Sequence, residues 1–221
     1  MHDEVLRQPS YDSRISGLFF AICLVIPITI FLALLFYGEP FHLWRDAFSQ
    51  LGETITPSGN ANVVSRLLFS AGWMTSGVLM TMICVRFAGQ RGLRRHWIKS
   101  GLALLGAVGF FVAIAPNNLN HLVHSIGMGT EVGVMYFFSM ILLMELRQRI
   151  HRLIFLGSLA LLHTVVLTYA VTFFANSDSK QLAQKLCLLG LLLVMERMVT
   201  IAPESVEWRT ALAIWRRSAK S

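Results

Sequence analysis

The sequence predicts an all-α polytopic membrane protein, a six-transmembrane-helix bundle, and three observations carry that prediction. Of 221 residues, 55% are hydrophobic and only 14% charged, with a mean hydropathy of +0.60; about a quarter of a typical soluble domain is charged. The apolar residues fall in runs of about 20, the length that crosses a ~30 Å hydrocarbon core. The formal charge of +7 is concentrated in short connections between those runs. Basic loops of that kind mark the cytoplasmic side beside an anionic leaflet, so the charge is read as topology and no nucleic-acid partner is expected.

Taken in order, residues 1–14 form a polar tail and the first span covers about 15–37, with Pro27 near its middle. This run is too long for a signal-peptide core and ends in Gly38-Glu39-Pro40 without a small-x-small cleavage pattern, so it reads as a retained anchor. Residues 38–62 are the longest polar connection. Phe41, Leu43, Trp44, Phe48 and Leu51 give that connection a semi-amphipathic pattern suited to an interface. Further spans follow at about 63–87, 98–115 (stopped by Pro116), 119–146, 153–175 and 181–202 (stopped by Pro203).

Arg86, Arg91, Arg94, Arg95 and Lys99 follow the second span, and Arg147, Arg149 and Arg152 follow the fourth, whereas the turn after the third has no Lys or Arg. The positive-inside rule therefore puts both termini in the cytoplasm and residues 116–121 on the outer face. Within the tail, 204–221, Trp208, Leu212 and Trp215 share a stripe beside Arg209, Arg216, Arg217 and Lys220, an interfacial amphipathic helix on the cytoplasmic leaflet. Ser125, Gly129 and Gly133 recur every four residues, and Gly106, Gly109 and Ala113 line the preceding span. Such small-residue stripes predict close helix contact.

Hydrogen-bonding chemistry is concentrated in 116–131. Asn117, Asn118, Asn120, His121 and His124 crowd the start of the fourth span, and Glu131 follows on roughly the face of the two histidines. A rise of ~1.5 Å per residue puts Glu131 about 15 Å below His121, level with His163 on the next, antiparallel span. A charge at that depth is costly, so either a Glu131–His163 hydrogen bond or a neutral carboxyl is expected. A buried polar lock between helices and a role in proton handling or substrate contact both remain open.

His121 and His124, at i and i+3, are candidate zinc ligands, with Asp46, Glu53 or His42 as the third; the alternative is that imidazoles and asparagines cap the helix and meet water or headgroups. Haem is not expected, because no two histidines match in depth on facing spans. Ser49, Ser70 and Ser76 lack a paired histidine, and intramembrane serines commonly bond back to their own helix. Cys23, Cys84 and Cys187 are scattered in apolar runs without metal spacing. No phosphate-cradling glycine loop is present.

Two stretches resemble a six-span membrane family known as domain of unknown function nine-nine-eight, which is itself similar to the broader Frag/DRAM-type proteins. Phe48-Ser49-Gln50-Leu51-Gly52, followed by Pro57 and Asn62, resembles the family's Ser-Asp-Leu-Gly pattern, with Gln50 where the family often has Asp. The glycine-rich run 106–116 followed by His124-Ser125-Ile126-Gly127 resembles its second motif and makes His124 the family histidine. The likeness covers roughly 15–146. It implies a six-helix bundle and no particular reaction.

The expectation is thus a multi-pass plasma-membrane protein, of the bacterial inner-membrane kind, with a pocket opening outward. Ser49, Gln50, Asn117, Asn120, His121 and His124 would line its mouth, above Glu131 and His163. Its occupant would be a lipid headgroup or an amphipathic small molecule, and the chain could serve as an accessory subunit or a homo-oligomer. A metal-assisted lipid hydrolase using His121 and His124, and a helix scaffold without a site, are the alternatives.

Overall fold

The computed structural model describes residues 13–198 apart from 92 and 94. The N-terminal tail to residue 12, the end of the sixth expected span and the tail helix at 204–221 lie outside the described residues. Within them the chain is helical: α1 Ser13–Leu35, a short 3-10 helix Phe48–Gly52, α2 Val63–Gly89, α3 His96–Ala113, α4 His121–Leu146 and α5 Arg152–Phe174. A further helical run, α6, occupies described residues 180–198. The one β pairing among the described residues is an isolated bridge between Ile55 and Ala61.

Helices α1–α5 are each long and apolar enough to cross a membrane. Large apolar side chains remain exposed along them, Phe31, Leu67, Val85, Leu104 and Val171 among others, as expected where lipid is the solvent. Pro27 sits inside α1 without ending it.

The core forms among α1–α4, with Cys187, Leu191, Met195 and Met198 of α6 packed into it. Phe19 of α1 meets Phe138 of α4 edge-on at 5.2 Å, and Phe87 of α2 stacks on the same Phe138 at 6.0 Å. Helix α3 meets α4 at Gly127, where an added Cβ would lie 2.4 Å from the Ala113 nitrogen, and at Gly109, where one would lie 3.0 Å from the Glu131 nitrogen. Gly109 and Ala113 thus do line the contact, but α4 meets them with Gly127. Gly129 and Gly133, expected there from their spacing, have nothing within 4 Å of an added Cβ.

Helix α5 is largely exposed and joins this core through Phe155 and Leu162, its buried residues. It touches α4 where Tyr136 meets His163, and α6 where Val165 faces Gly190. Helix α6 returns to α1 through Cys23, whose thiol lies 3.9 Å from the Leu192 carbonyl.

At the Arg-rich end, Arg95 takes a left-handed φ of 57° and α3 begins at His96, two residues earlier than expected. Lys99 lies in this helix, as the expected span from 98 has it. It is 1% exposed, and its ammonium meets the Glu145 carboxylate of α4 at 2.8 Å. The sequence counts Lys99 in the basic cluster that follows the second span; the structure makes it half of a buried ion pair.

Candidate functional site: a cavity between α4, α5 and α6

The loop between α1 and α2 folds as a structured cover. Asn62, just before α2, donates its side-chain amide to the carbonyls of Gln50, Leu51 and Glu53 at 3.1–3.3 Å, and Ser65 donates to Leu51 at 3.1 Å. These bonds pin the 3-10 helix above the start of α2 and bury Leu51 completely. Leu43 and Trp44 remain exposed, whereas Phe41 and Phe48 stack and pack against the core. The expected interfacial stripe is therefore split between surface and interior.

The same loop is latched to the α3–α4 turn. Asn118 exchanges two bonds with Thr54, accepting from its N–H at 3.2 Å and donating to its hydroxyl at 2.8 Å. Asn117 donates to the Glu53 carboxylate at 3.0 Å. Lys185 of α6 donates to the Asp46 carbonyl and lies 5.2 Å from the Phe48 ring, which ties the third wall to the cover.

Beneath this cover a cavity of about 740 Å³ opens between α4, α5 and α6. Its polar end is lined by Ser49 and Gln50 from the 3-10 helix, Asn117, His121 and His124 from the start of α4, and Asn176, Lys180, Gln181 and Gln184 from the turn and α6. Its deeper walls are Met128 and Val132 of α4 with Val166, Tyr169 and Ala170 of α5, and Phe173 stands nearer the polar end, three residues before Asn176. Ser125, Gly129 and Gly133 also line it. The small-residue stripe makes room for the cavity rather than for a helix.

Bond partners orient the two imidazoles. The Ala115 carbonyl can only accept, so His124 donates through Nδ1 at 2.9 Å and keeps Nε2 as its acceptor. Asn117 spends its amide N–H on Glu53, which turns its Oδ1 toward His121; the His121 Nδ1 donates to it at 2.7 Å. A Glu53–Asn117–His121 chain thus holds one ring and a backbone carbonyl the other. His124 is 4% exposed.

Three expected site residues lie elsewhere. Asn120 caps α4, its side chain accepting from the Val123 N–H at 3.2 Å. Glu131 and His163 do not pair. Glu131 is buried and accepts from Trp73 Nε1 of α2 at 3.0 Å, and His163 donates to Leu159 and accepts from the Tyr136 hydroxyl at 3.1 Å. These are bonds that join helices, not a pocket floor. Trp73→Phe, which strips Glu131 of its donor, is expected to cost on the order of 1–3 kcal/mol in thermal unfolding, and Glu131→Gln, which still accepts, clearly less.

The zinc reading fares less well at the level of donors. Among the described residues no group of three His, Cys, Asp or Glu side chains gathers as a metal set. Glu53 is engaged with Asn117, and Asp46 accepts from the His42 N–H at 2.6 Å. Spacing alone missed Lys180, Gln181, Gln184 and the α5 wall, since no local signal says that α6 faces α4.

The chain matches no family model, and no curated protein or solved structure is similar to it.

Proposed function

We propose that the protein is a six-span plasma-membrane protein, with both termini in the cytoplasm, that holds a membrane amphiphile in the α4–α5–α6 cavity. The observation that carries this reading is the cavity's graded lining: polar groups at one end, Met128, Val132 and Val166 at the other. A headgroup pairs with the first and an acyl segment is desolvated by the second, at roughly 25 cal/mol per Å² of apolar surface buried. Arg86, Arg91, Arg95, Arg147, Arg149 and Arg152 cluster at the opposite end of the bundle, which supports an outward-facing mouth. On the same footing we place the chain beside the six-span family of unknown function, through Ser49–Gly52 and His124–Gly127.

Gly133 supplies the test. A Cβ added at Gly133 meets nothing within 4 Å and Gly133 lines the cavity, so Gly133→Phe is expected to put its ring into that space. Native mass spectrometry is expected to show an amphiphile retained by the parent chain and lost from Gly133→Phe, with thermal unfolding of the two alike. Equal retention by both would refute the proposal.

A further inference from the structure

Resting on that reading of the cavity, we infer that its occupant carries a neutral polyol headgroup, such as a glycosyl or glycerol unit, held by Gln50, Gln181, Gln184 and His124. Each of these four lining residues has a buried polar atom without a protein partner: Gln50 Oε1, Gln181 Oε1, Gln184 Oε1 and His124 Nε2. Buried polar atoms normally have a partner, and four without one around a single cavity form a constellation. Each of the four is an acceptor. In the neutral ring the Nδ1 bond to Ala115 leaves His124 Nε2 as the acceptor, and the carboxamides add donors beside their oxygens, one of those on Gln184 going to the Tyr169 hydroxyl.

A ligand that satisfies such a set must offer several O–H donors while accepting from amide N–H groups, and vicinal hydroxyls do both. The terminal torsion of a glutamine side chain is broad, so a modest rotation presents each amide to the cavity.

Charge argues against an anionic head. Among the described lining residues Lys180 is the one Lys or Arg, and one of its three N–H groups goes to Asn176 Oδ1 at 2.5 Å. Phosphate recognition ordinarily draws on Arg forks or several cations, neither of which lines this cavity. A trimethylammonium head has no N–H or O–H to give the acceptors.

The experiment compares octyl glucoside, octylphosphocholine and octyl phosphate, which share a chain and differ in the head. Each is added below its micelle-forming concentration to the full chain in phosphatidylcholine nanodiscs, with thermal unfolding as the readout. Octyl glucoside is expected to raise the unfolding midpoint most. Gly133→Phe should abolish that shift, and Gln184→Leu or Gln50→Leu should raise the half-saturating concentration about tenfold. A larger shift with octyl phosphate or octylphosphocholine, or equal shifts with all three, lost in Gly133→Phe, would overturn the polyol assignment and leave the amphiphile reading standing. Shifts that ignore Gly133→Phe, or no shift with any probe, would overturn both.

Discussion

Replacing Glu145 by alanine is expected to be among the most damaging single changes in the chain, lowering stability by about 3–5 kcal/mol in detergent unfolding. The reason lies in its partner. The Lys99 side chain is 2% exposed, against 20% for Glu145, so Glu145→Ala leaves an ammonium buried without its carboxylate. The Phe87 ring, 5.7 Å from the Lys99 nitrogen, softens that loss only slightly. Removing both charges is a different experiment. The double variant Lys99→Met, Glu145→Met has no charge to strand and is expected to unfold near the parent chain, as buried pairs replaced by apolar side chains often do. A double variant as unstable as Glu145→Ala would mean that the pair's position, and not its stranded charge, sets the cost.

The second large effect is steric. Gly127→Ala places a methyl carbon 2.4 Å from the Ala113 nitrogen and 2.7 Å from its Cα, atoms of a helix backbone that cannot rotate aside. Helices α3 and α4 must separate, with an expected cost of about 3 kcal/mol, at the upper end of overpacking penalties. Gly129→Ala, two residues along, meets nothing within 4 Å, and alanine's better helix propensity makes it neutral or slightly stabilising. Two chemically identical substitutions should thus differ by several kcal/mol in thermal unfolding. Equal effects would contradict the packing of α3 on α4.

The contrast between Gly127 and Gly129 also shows what could be read from the chain and what could not. Apolar run length locates α1–α5 to within about two residues, because length and hydropathy are local properties and lipid permits little else. The polar face of the cavity was legible in part for the same reason. Ser49, Gln50, Asn117, His121 and His124 are unusual beside apolar spans, and all five line it.

Rotation about a helix axis was not legible. Glu131 and His163 share a depth, but His163 takes Tyr136, five residues beyond Glu131 and therefore roughly 140° around α4. Glu131 turns instead to Trp73. A glycine stripe likewise states that space is available without stating what fills it. The ion pair of Lys99 was not legible because its partner is 46 residues away.

The most direct measurement is photocrosslinking with an amphiphile carrying a diazirine in its acyl chain, added to membranes that contain the protein and followed by peptide mapping. Adducts are expected on the cavity wall, at Met128–Val132 of α4 and Val166–Phe173 of α5, together with their loss in Gly133→Phe. Adducts confined to outward-facing side chains such as Phe31, Leu67 and Val85, with the cavity wall unlabelled, would contradict the amphiphile reading.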